Sequence, residues 1–203
     1  AVEQGAALGT PGALVAGKAA GVWATYLAAD ERSALAVLEA AIRRAEASIA
    51  ADPATANHHY FHAFVLGRFS QRISIVQALA QGLGGKVQAS LARALELEPK
   101  HAEAHTASGL FHAEIVAKVG VLAARLGYGA TREQALRHFE RALELHRDSP
   151  IAHLEYARGL RLLYGKERRK EVRQALETAA ALQPADAMER LDQEAARGEL
   201  RSA

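Results

Sequence analysis

Ala135-Leu136-Arg137-His138-Phe139-Glu140-Arg141-Ala142, closed downstream by Pro150, is the stretch whose reading decides the fold. Its skeleton is a small apolar residue, a larger one four positions on and an alanine three further. The pattern recurs as Val87-x3-Leu91-x2-Ala94 before Pro99 and as Val172-x3-Leu176-x2-Ala179 before Pro184. Positions i, i+4 and i+7 share one helical face, so a large side chain stands between small ones and a neighbouring helix can pack closely. The proline then ends the helix, because it lacks an N–H and its ring clashes with the preceding turn. A weaker fourth copy is Ala41-x3-Ala45-x2-Ser48 before Pro53, with Asp30 placed to cap its helix. Such a unit cannot bury its apolar face alone, so the spacing predicts an all-α solenoid of about four stacked helical hairpins.

Working outward, the first helix of each hairpin is marked by a glycine, at Leu66-Gly67, Ser108-Gly109 and Arg158-Gly159. Pro150 and Pro184 stand 34 residues apart, the period of the tetratricopeptide repeat, which this pattern resembles. The two central repeats carry roughly eight and fourteen extra residues between their helices compared with that period. These fall on two apolar stripes at helical spacing, Phe69, Ile73, Val76, Ala80 and Leu83, and Phe111, Ile115, Val119, Leu122 and Leu126. Gly82-Leu83-Gly84-Gly85 and Gly127-Tyr128-Gly129 stop them. The expectation is therefore elongated central first helices whose apolar extensions bury each other as a side lobe. The expected layout is a flexible leader over 1–12 and a single domain over 13–198, with a tail over 199–203. Within the domain the repeats fall at about 13–53, 55–99, 101–150 and 151–184. A capping helix over 185–198 turns Met188, Leu191 and Ala195 toward the stack.

Composition narrows the function classes. Half of the 203 residues are hydrophobic and only 5% are aromatic, which favours helix over sheet. A net charge of +2 is no footprint for nucleic acid, and the most basic run, Lys166 to Arg173, has Glu167 and Glu171 interleaved. Without cysteine there is no disulfide, thiolate metal site or cysteine nucleophile. The glycine-dense stretch from Leu8 to Ala29, interrupted by Lys18, suits a leader and a first helix holding Trp23 and Tyr26, not a membrane span. The expected compartment is the cytoplasm, or the periplasm if a signal segment ahead of Ala1 has been removed.

Chemistry-bearing patterns fall short of their requirements. Gly82-x-Gly84-Gly85-Lys86-Val87 lacks the earlier glycine and the following Ser/Thr of a phosphate loop. His58/His62 and His101/His105 stand at i, i+4, but zinc needs further ligands and the HExxH order is missing. His105 and His112 occupy repeat positions usually filled by large packing side chains. No catalytic residue, cofactor or metal is expected, and the chain reads as no enzyme.

With the repeats placed, the segment from about His59 to Leu200 resembles a family of bacterial tetratricopeptide proteins of about this length. These are similar in turn to the eukaryotic regulator of microtubule dynamics proteins. The resemblance is carried by Leu66-Gly67-Arg68-Phe69-Ser70-Gln71, Gly82-Leu83-Gly84-Gly85-Lys86, Ala94 to His101, Tyr128-Gly129-Ala130 and Ala187-Met188-Glu189-Arg190-Leu191. It implies a binding scaffold and brings no catalytic residues.

The concave wall of such a solenoid is made by first helices. The expected peptide-binding residues are Phe64, Arg68 and Arg72 in the second repeat, Glu103, Thr106 and Glu114 in the third, and Tyr156 in the fourth. Phe61, Leu110 and His153 stand beside them. Mixed aromatic and charged residues suit a protein or peptide partner. The alternative is a small-ligand or substrate-delivery protein with its cavity between the extended helices. The expected state is a monomer or weak homo-oligomer.

Overall fold

The computed structural model describes residues 2–7 and 10–202, in twelve helices with no strand among them. The chain divides into two compact units, Ala1–Pro99 and Lys100–Ala203. The boundary falls at the proline turn between the expected repeats 55–99 and 101–150.

The first unit opens with α1, Val2–Ala7, inside the stretch expected to be a leader; Ala1, Leu8 and Gly9 of that stretch lie outside the described residues. It packs on α2, Thr10–Tyr26, where Gly5 lies so close to the Gly12 carbonyl that an added Cβ would stand 2.8 Å from it. Asp30 caps α3, Glu31–Ala51, by accepting from the Ser33 N–H at 2.9 Å. Ala41, Ala45 and Ser48 are buried, as the weaker repeat pattern requires. Helix α4, Ala56–Ser70, pairs with α6, Leu83–Leu97. His58 and His59 reach back from α4 to the carbonyls of Asp52 and Pro53, both at 2.9 Å, and lock the turn that feeds the helix.

The extension expected on α4 is corrected here. The helix ends at Ser70, and a separate helix, α5, Ile75–Ala80, starts at Ser74. The cause is a capping box: Ser74 Oγ accepts from the Gln77 N–H at 3.2 Å, and Gln77 Oε1 accepts from the Ser74 N–H at 3.0 Å. No residue of α5 is buried, and Ile75, Val76 and Leu79 are exposed.

The second unit repeats the scheme. Helix α7, Ala102–Val119, pairs with α9, Arg132–Leu145, and α10, Pro150–Tyr164, pairs with α11, Arg169–Ala181. At 18 residues α7 is about one turn longer than the 15 of α4 and α10, so of the two central first helices only this one is elongated. It stops at Gly120, whose φ of +83° suits glycine, and α8, Val121–Tyr128, begins anew. Ala124 is the buried residue of α8, while Val121, Leu122 and Leu126 are exposed. Neither apolar segment is thus a buried lobe.

Phe139, 1% exposed, is the wedge of this unit. A Cβ at Gly109 of α7 would stand 2.8 Å from its ring, and one at Gly159 of α10 would overlap it. The two repeat glycines exist to admit that ring. Leu154, Leu160 and Leu176 are likewise wholly buried, in a cluster with Val172 and Ala179. Helix α12, Ala187–Arg201, covers it as a cap on α11 and α10. Its buried face is Asp192, Gln193 and Ala196, one residue on from the expected stripe; Met188, Leu191 and Ala195 are half-buried. The shift is explained by Gln193, whose amide donates to the carbonyls of Ala180 and Leu182 at the end of α11.

Candidate peptide-binding surface

In the first unit the end of α2, the start of α3 and the end of α4 leave an open cavity of about 390 Å³, lined by Thr25, Glu31, Arg68, Gln71 and Arg72. The helical rise decides who enters it: Arg68 and Arg72 stand at i, i+4, so both guanidinium groups leave the same face of the last turn of α4 and the turn after it. Arg72 Nη1 donates to Glu31 Oε2 at 2.8 Å, and Nη2 donates to the Ala24 carbonyl. That carbonyl belongs to the last turn of α2, where the helix dipole favours a cation. Arg68 Nη1 donates to Gln71 Oε1 at 3.3 Å, and its guanidinium lies 5.4 Å from the Phe64 ring centroid.

Phe64 is held in turn. A Cβ at Gly21 of α2 would overlap its ring, and Phe61 rests on Gly17. Tyr60 and Phe61 complete the group, with ring centroids 5.0 Å apart and the Phe61–Phe64 pair at 6.3 Å. The glycines of α2 therefore position an aromatic shelf, and the shelf carries Arg68.

The structure brings Phe64, Arg68 and Arg72 together in this unit. Glu31, Thr25 and Gln71 were not anticipated. Glu31 lies 41 residues from Arg72, a separation that helical periodicity cannot register.

The four expected residues of the second unit have separate surroundings. Thr106 is buried, and its hydroxyl donates to the Ala102 carbonyl one turn back at 3.2 Å, which removes it from a binding wall. Tyr156 packs on Phe139 with ring centroids 5.7 Å apart, and burial pushes its phenol upward from the usual value. It serves the core. Glu103 lies 3.3 Å from His101 Nδ1, and its contact with that ring, first, holds its carboxyl down at about 2. Glu114 pairs with Lys118 at 2.8 Å. Leu110 is half-buried against the cluster around Phe139, and His153 Nε2 lies 2.8 Å from the Arg147 carbonyl.

The two i, i+4 histidine pairs are split between different partners. His58 faces the Asp52 carbonyl while His62 Nδ1 lies 2.8 Å from Ser90 Oγ. His101 Nδ1 accepts from the Ala104 N–H at 3.2 Å, whereas His105 Nδ1 meets His138 Nδ1 at 2.9 Å.

Among the described residues no helix is long and apolar enough to cross a membrane. Residues 16–201 match the family described as Regulator of microtubule dynamics protein 1-3. The fold is similar to the crystal structure of a thermophilic TPR protein of Thermus thermophilus, with a TM-score of 0.60 at 16% identity. That match covers 93% of this chain and 81% of the other. No curated protein matches.

Proposed function

The chain belongs to the regulator of microtubule dynamics family, and from that premise we propose that it is a non-enzymatic scaffold whose first unit binds a peptide or protein segment. One observation carries the reading: two guanidinium groups and an amide from the end of α4 and the turn after it, one acid from α3 and a hydroxyl from α2 converge on an open cavity beside an aromatic shelf. A cavity of that size, at the lower end of the usual ligand range, accepts one or two side chains of a segment laid across it. An acidic side chain meets Arg68 and competes with Glu31 for Arg72, while an apolar neighbour lies on Phe61 and Phe64. Such charge-assisted bonds supply register and specificity more than raw affinity.

The alternative, a small-ligand protein with its cavity between extended helices, loses its premise where those extensions are exposed short helices. Microtubules are named for the family, and nothing in the cavity's chemistry calls for them. Protein captured from lysate, identified by mass spectrometry and re-bound as peptides, tests the proposal. The expected result is a segment whose affinity falls about tenfold or more with Arg68→Ala or Arg72→Ala, since removing one charge-assisted bond costs about 1.5–3 kcal/mol. Native mass spectrometry showing a tightly held small molecule, with no protein segment bound, would sink it.

A further inference from the structure

In the second unit, α7 presents His105 and His112 two turns apart on one face, and α9 presents His138 to both. His105 and His138 meet nitrogen to nitrogen, Nδ1 to Nδ1, at 2.9 Å. That contact needs one N–H to donate and one lone pair to accept, so a proton on both atoms sets two donors head to head. His138 also lies nearly parallel to His112, with centroids 5.6 Å apart and 17° between the rings. The Nδ1 of His112 is buried and has no hydrogen-bond partner. Parallel rings keep their lone pairs in separate planes, so the nitrogens do not converge as ligands on one ion would. The arrangement is made for neutral imidazoles.

We propose that His105, His112 and His138 form an acid-sensitive joint between α7 and α9, closed while the three rings are neutral and loosening the second unit as they become imidazolium. The neighbouring charges offer no relief. Arg137 of α9 acts on His112 and His138, and His138 also faces the other two histidines. On α7 the acids Glu103 and Glu114 are engaged by His101 and Lys118, on α9 Glu144 pairs with Arg141 while Glu133 and Glu140 are exposed, and on α10 Glu155 pairs with Arg158. Helix α8 has no acid, only Arg125. Burial first, then Arg137 for His112, and the other two histidines and Arg137 for His138, push both down from 6.5 to about 4.

The sign follows. Between 6.5 and about 4 the unfolded chain binds more protons than the folded one, so stability falls as pH falls through that window and is complete above it. Each of the two histidines lowers the folded-to-unfolded ratio by up to about tenfold per pH unit there.

Histidine NMR titration of the full chain, with amide-exchange protection and denaturant unfolding over the same pH range, tests this. His112 and His138 are expected to titrate well below 6.5, and protection in α7 and α9 to fall before that of α4 and α6. H138F keeps a ring against His112 but no titrating proton, so its stability should depend less steeply on pH. Titration of both histidines near the ordinary imidazole value overturns the proposal, as does an unchanged pH slope in H138F. If H138F does not fold, unaltered protection of α7 and α9 at about pH 4.5, inside the window where the two histidines charge, overturns it in the native chain.

Discussion

Both units set an aromatic ring against glycine, but from opposite helices of the hairpin. In the first unit Phe64 comes from a first helix, α4, and rests on Gly21 of α2; its ring is half-buried and its free face carries Arg68. In the second unit Phe139 comes from a second helix, α9, and is enclosed between Gly109 and Gly159. The same device makes a core in one place and a surface in the other. What decides is whether glycine stands on one side of the ring or on two.

The comparison breaks most visibly at Phe139. Phe139→Ala should cost about 3–5 kcal/mol, the range for emptying a buried aromatic site whose surroundings cannot collapse fully. Denaturant unfolding with an unchanged m-value measures it. Phe64→Ala should cost clearly less, because its ring is only half-buried; equal losses would show that the first unit encloses its aromatic as tightly as the second.

A smaller effect sharpens the same contrast. Gly159→Ala drives a methyl into a ring with nowhere to go and should cost about 1–3 kcal/mol, as overpacking does. Gly21→Ala meets Phe64, which can swing toward solvent, so its stability loss should be the lesser of the two. Its effect should appear in binding instead, since the displaced ring no longer supports Arg68. A Gly21→Ala protein that binds its captured segment with unaltered affinity would detach the aromatic shelf from the site.

These positions also mark what the sequence could convey. The alanine, large-residue and proline register was legible because periodicity is a local property, and Phe139, Leu91 and Leu176 are buried where it put them. Asp30 was legible as a cap for the same reason. The break before Ser74 was equally local: Ser74-x-x-Gln77 is a helix start, but it lay inside an apolar stripe whose phase argued for continuation. The α12 register slipped by one because hydrophobicity alone ranks Met188 and Leu191 above Gln193, whereas the end of α11 needs a donor there. The pairing of Arg72 with Glu31 and the meeting of His105 with His138 depend on tertiary packing, and no spacing rule reaches them.

The smallest expected effect is one the two units share. Val76 of α5 is 76% exposed and Leu122 of α8 is 67% exposed, so each already contributes little apolar burial. Val76→Asp and Leu122→Asp should move stability by no more than about 0.5 kcal/mol, the usual range for surface changes. Ile115, on the same apolar stripe as Leu122 but half-buried against the cluster around Phe139, provides the control. Ile115→Asp places a charge at the edge of that core and should lower the melting temperature clearly. The three variants, melted side by side at several protein concentrations, separate two accounts of the exposed helices. If Val76→Asp or Leu122→Asp lowers the melting temperature as much as Ile115→Asp, and the loss depends on concentration, those side chains are covered by a second copy in solution. A flat response for the two, with Ile115 sensitive, leaves Val76 and Leu122 outside the folded core and Ile115 at its edge.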